Sequence, residues 1–265
     1  MVRRVNKELL VVLGWGRAIL LQVAHPLVAA GVSEHSDFGR SAREYVQRTR
    51  QTIGAMLSLT FGSADEVQHT ADRINTIHRR VHGQVWTSVG STHRYPPGTR
   101  YSATDPDLLC WVHATLIDSQ LRAYALFVGQ LTIVEQDQYC AEAAAGIAPL
   151  LHVPQHMLPT TAADLNEYLQ VRYHDGTVQV TDRARGLARA LLHPGGVLGG
   201  PVLGMGRLVT AGLLPAPLRY AYGLPWNPRR ERRLNRLSRI VRAFHPWTPG
   251  LLREWRVARP GISIK

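Results

Sequence analysis

One stretch, Asp105 to Tyr124 (DPDLLCWVHATLIDSQLRAY), constrains what this chain can fold into more than any other. Asp105 is a natural N-cap, Pro106 suits the first helical position, and Asp107 complements the positive end of the helix dipole. At helical spacing one face then carries Leu109, Cys110, His113, Leu116, Ile117 and Tyr124. A stripe this apolar belongs in a core. An imidazole in its middle is costly to bury unless its nitrogens have partners. The partner is either a backbone carbonyl or a metal, and the residues alone leave both open.

The rest of the chain reads as helices around that stretch. Leu9 to Gly31 is apolar nearly all round and predicts a central helix, carrying Trp15, Arg17, Gln22 and His25, with Pro26 kinking or restarting it. Ser36 or Asp37 would cap a helix over about 39–59. Ser63 with Asp65-Glu66 starts one over about 64–83. Gln84 to Thr104, with Pro96-Pro97-Gly98, is the longest irregular stretch before the middle helix. That helix runs on to about Val134, followed by helices over about 135–146 and 161–173. Thr181 caps another, through Leu192. Strand patterns are almost absent, so the chain reads as one all-α domain over 1–265, with 265 residues ample for a large core.

Composition narrows the function classes. Two cysteines, Cys110 and Cys140, both in helical patterns, suggest buried free thiols in a reducing compartment and argue against a disulfide framework. The apolar N-terminal run is broken by Glu8, Gly14 and Arg17 and reads as mature structure. No uncharged apolar run reaches spanning length without glycine or histidine breaks. From Arg219 to Arg259 there are eleven arginines against two glutamates, nine of the net +12 charges. No nucleic-acid motif accompanies them, and the leucine-rich faces between them suit peripheral contact with a membrane better than nucleic acid. Gly204-Met205-Gly206 lacks the preceding strand and the glycine spacing of a dinucleotide site.

Several histidines are candidates beside His113. His78 and His82 are spaced i, i+4, but Arg79 and Arg80 lie between them, and two cations suit an anionic carboxylate better than a metal. His25 and His35, with Glu34 and Asp37, offer two imidazoles and two carboxylates for a non-haem metal, or simply a turn and a buried structural histidine.

Three segments taken together, GWGRAILLQVAHPLVAAGVSEHSDF (14–38), IHRRVHG (77–83) and YSATDPDLLCWVHATLIDS (101–119), resemble the family of rubber oxygenases (latex-clearing proteins) and MpaB-type oxygenases. The resemblance implies a globin-like helical bundle enclosing a haem b pocket. It implies His113 as the proximal iron ligand and Arg79 as the haem-pocket arginine, with Arg80 beside it as a further propionate anchor. The rubber enzymes' distal lysine and neighbouring threonine fall on His82 and Gly83, and their pocket glutamate falls near Ser63. These departures point away from polyisoprene. What remains implied is haem-dependent oxygen chemistry on another apolar, isoprenoid- or lipid-like substrate, with O2 as co-substrate and His82, His25 or Arg79 facing the reacting side. The expected setting is cytoplasmic, with membrane association through the basic C-terminal region. Two other classes stay open: a haem-binding sensor without turnover, and a metal-free helical protein that docks on membranes.

Overall fold

The structure, a computed structural model, describes residues 1–35, 42–85, 94–193 and 200–258. It is all-α, as the sequence patterns require. The helices are α1 (Val2–Asn6), α2 (Trp15–Ala24), α3 (Pro26–His35), α4 (Ala42–Phe61), α5 (Ala64–Arg80), α6 (Pro106–Phe127), α7 (Ile133–Ala145), α8 (Ile147–Leu150), α9 (Ala162–His174), α10 (Asp182–Leu192), α11 (Pro201–Leu213), α12 (Ala216–Ala221), α13 (Pro228–Phe244) and α14 (Gly250–Arg253). Two short strands, β1 (His82–Gln84) and β2 (Arg100–Ser102), pair antiparallel, with His82 opposite Ser102.

Helix α6 is the axis. Asp105 caps it, accepting from the backbone N–H groups of Asp107 and Leu108, and Pro106 follows at the first position. Its buried residues Trp111, Ala114, Ile117 and Tyr124 pack with Leu20, Leu21, Tyr139 and Leu187 in the largest core cluster. The helix stops at Phe127, seven residues earlier than the pattern suggested. Thr132 then opens α7 with a capping box closed by Glu135, so the apolar run continues in a new helix.

The run Leu9 to Gly31 restarts at Pro26 as expected, and its beginning departs from the expected helix, so it is three pieces. Leu9–Gly14 is a 3₁₀ turn, then α2 and α3 meet at a 104° bend. Proline disfavours helical backbone in the residue before it, and His25 is accordingly extended (φ −77°, ψ 120°). Close approach is written into α2 as well: a Cβ on Gly16 would sit 2.2 Å from Thr210 Oγ1 on α11. Among the described residues no single helix is long and apolar enough to cross a membrane.

Ser63 caps α5 through a full capping box with Glu66, and Thr161 and Thr181 cap α9 and α10. The stretch expected to be irregular from Gln84 contributes β2. Ser36 and Asp37, proposed as caps of α4, lie outside the described residues. Both cysteines are free and buried, and burial pushes the Cys140 thiol up to about 12. At the far end of the chain, His245 Nε2 meets Glu8 Oε2 at 2.9 Å, both nearly sealed, and Trp255 N–H donates to the Lys7 carbonyl. The C-terminal segment thereby clasps the N-terminal one.

Candidate functional site

Along the middle of α6, residues 108–111, 114, 115 and 117–120 are buried, but Val112, His113 and Leu116 are only half-buried. His113 Nε2 itself is sealed from solvent and has no hydrogen-bond partner. Burial pushes this imidazole's pKa down to about 4, so the ring is neutral at pH 7. A sealed polar nitrogen without a partner costs about 1–3 kcal/mol. The protein therefore carries an unspent donor at the centre of its longest helix.

His25 is a contrast. Its Nδ1 accepts from the Leu27 backbone N–H at 3.3 Å, which places the proton on Nε2, and Nε2–H donates to Tyr95 Oη at 3.3 Å. Burial, with Arg172 and Arg94 nearby, pushes its pKa down to about 4 as well. His25 lines a cavity with Trp111, Arg94 and Arg172. Trp111 and His113 are two residues apart, roughly 200° around a helix, so the His25 cavity opens on the opposite side of α6 from His113. Glu34 and His35 converge on a third point: Tyr101 Oη donates to Glu34 and lies 3.3 Å from His35 Nε2, while Arg183 pairs with Glu34. Asp37, the second carboxylate considered there, lies outside the described residues.

The segment His78–His82 is not one helical face. Helix α5 ends at Arg80, Val81 is extended (φ −94°, ψ 92°), and His82 lies on β1, so His78 and His82 do not share a helix side. The pairing of β1 with β2 is the reason: Ala103 N–H takes the Val81 carbonyl, and the chain then enters α6 at Asp105. The sheet thus ties the end of α5 to the start of the helix that carries His113. Burial lowers the pKa of half-buried His78. Arg79, Arg80 and His82 are exposed, and Arg79 Nη2 donates to Thr76 Oγ1. Glycine at position 83 has a steric cause, since a Cβ there would lie 2.5 Å from Tyr101 Oη. Ser63 is spent on capping α5.

Asp118, five residues past His113, is not its acceptor. It pairs with Arg17, which is 1% exposed and also donates to the Leu213 carbonyl and to Ser119 Oγ, each at 2.7 Å. Arg122 grips the same carboxylate at 2.9 and 3.0 Å. This knot joins α2, α6 and the end of α11. The only hint of it in the sequence was a charged residue inside an apolar run.

Among the described residues no three or more His, Cys, Asp or Glu side chains gather as a metal site. A haem needs only one axial imidazole from the protein, and the sealed, neutral, partnerless Nε2 of His113 fits that need. Among the described residues, fold and site together define an all-α protein whose longest helix carries an imidazole with a sealed and unpartnered Nε2. The chain belongs to the family "ER-bound oxygenase mpaB/B'/Rubber oxygenase, catalytic domain", whose model matches residues 2–243. Neither a curated protein nor a solved structure matches it.

Proposed function

We propose that this chain is a haem b-dependent oxygenase acting on an apolar substrate, with His113 as the axial ligand. The observation that carries the reading is the sealed and unpartnered Nε2 of His113. Membership of an oxygenase catalytic-domain family supports it. Haem, when bound, supplies the iron centre at which O2 chemistry occurs. His113 is already deprotonated at pH 7, so ligation requires no proton release. Val112 and Leu116, half-buried beside His113, are apolar neighbours for the group. Arg79 and Arg80 at the end of α5 are the cations for a propionate, and the His82 imidazole is a hydrogen-bond donor for negative charge that develops on the reacting side. His25, engaged by Leu27 and Tyr95, holds the α2–α3 bend.

The test is an absorption spectrum and a pyridine haemochrome assay on protein expressed with ample haem. The native chain shows a Soret band and His113→Ala does not. A colourless native protein, or a His113→Ala variant with unchanged haem content, would sink the reading. Oxygen uptake with a lipid-like alkene then separates an oxygenase from a sensor that binds haem without turnover.

A second reading concerns location. Phe244, Trp247, Leu251 and Leu252 are 67–85% exposed, and they lie at the end of α13 and just beyond it, where the α13 arginines at 229, 230, 232, 233, 236 and 239 are exposed too. Exposed aromatics and leucines beside arginines suit the surface of an anionic bilayer. Buried free thiols suit the cytoplasmic side of that bilayer. Co-sedimentation with anionic vesicles, lost at high salt, is the expected result; equal binding to neutral vesicles would defeat it.

A further inference from the structure

A cavity of about 380 Å³ lies between α2, α3, α4, α10 and α11, a size that admits a small molecule. Ile19, Val23, Leu192 and Leu203 give it apolar walls. Arg207 of α11 also lines it, and its Nη1 is sealed from solvent with no hydrogen-bond partner. No carboxylate is among the described residues of the wall. Arg207 as a whole is half-buried, and the sealed nitrogen of a guanidinium is costly to leave without a partner, whereas the fully buried Arg17 is met by a carboxylate and two further oxygens. Gln22, another wall residue, donates to the Val112 carbonyl at 3.4 Å, so the chamber reaches the backbone of α6 one residue from His113.

We propose that this chamber binds an apolar carboxylic acid, with the Arg207 guanidinium as the counter-ion for the carboxylate and the aliphatic walls as the seat of its body. Apolar surface supplies the affinity and Arg207 supplies the discrimination, because a planar fork pairs with a carboxylate and gains nothing comparable from an alcohol or an ester. The proposal deepens the oxygenase reading by naming the substrate's charged end. Its binding step does not depend on haem at all.

The test uses the full chain as purified, with dodecanoate and 1-dodecanol as probes in calorimetric titrations and haem content measured on every sample. The native protein binds dodecanoate at least about tenfold more tightly than the alcohol, the ratio expected of one charge-assisted pair. Arg207→Met abolishes that preference and leaves alcohol binding in place. Gly206→Leu is the second variant: Gly206 lines the chamber and a Cβ there meets nothing within 4 Å. Leucine also favours a helix more than glycine does, so this variant folds, fills the chamber and loses both probes. Equal binding of acid and alcohol by the native chain overturns the proposal. So does undiminished dodecanoate binding in both variants. A fall in haem content in Arg207→Met with acid preference unchanged also overturns it, since Arg207 would then serve a propionate. Absence of haem from the native protein, with acid preference intact, removes the oxygenase reading and leaves this one standing.

Discussion

Two histidines, one on each side of α6, are buried to the same chemical effect and used differently. His25 and His113 are both pushed down to about 4, and both are neutral at pH 7. His25 spends one nitrogen on the Leu27 N–H and the other on Tyr95. His113 keeps Nε2 unspent in a sealed position. Burial and a shifted pKa therefore do not separate a structural imidazole from a ligand. The count of satisfied nitrogens does.

The comparison breaks first at haem. His113→Ala is expected to retain almost none of the native haem, while His25→Ala retains nearly all of it, as read by pyridine haemochrome; equal loss in both would erase the distinction. Next in size is the knot that resembles His25 in being fully satisfied. Asp118→Ala strands the Arg17 guanidinium in the core and is expected to cost about 3–5 kcal/mol by urea denaturation, with haem per folded molecule unchanged. Acid comes third. An unfolded histidine titrates near 6.5, above either folded value, so the unfolded chain takes up these protons first as pH falls. Stability of the haem-free protein is then full above pH 6.5 and is lost towards pH 4, by roughly 3 kcal/mol for each histidine. Urea midpoints of His113→Leu across that window should fall less steeply with acid than those of the native chain, the remaining slope coming from His25 and His78 among others, and a native-like slope would mean that His113 does not titrate as described. Smallest is Tyr95→Phe, which removes one hydrogen bond from His25. About 0.5–1.5 kcal/mol of stability is expected to go, and a change in the Soret position would instead place Tyr95 on the haem side.

Local signals carried much of the fold. Asp105-Pro106, Ser63 with Glu66, and Thr181 each mark a helix start within three or four residues of chain, and each cap forms as read, while Thr161, read as the first helical residue, is the cap of its helix. His113 was legible as a buried imidazole for the same reason, since its stripe is local. The failures are long-range. His82 was placed on a helix because nothing in IHRRVHG announces that Ser102, twenty residues on, will hold it in a strand. Tyr95 on His25, Tyr101 beside Gly83, and Leu213 on Arg17 are partners across 70, 18 and 196 residues. Arg207 was hidden differently: it sits in a glycine-rich stretch whose only apparent theme was a poor dinucleotide pattern. That it faces an apolar chamber depends on five helices at once.

The clasp between the two ends of the chain sets the order in which the molecule can be finished during synthesis. Glu8 leaves the ribosome 237 residues before its partner His245. At roughly 5–20 residues per second, the wait is roughly 10–50 s. For that time the first helices have an unpartnered carboxylate and an open edge, and the apolar run after Glu8 has no lid. The newborn chain is thus exposed to chaperones and to self-association around Glu8, and the arrival of the segment that carries His245 ends that exposure.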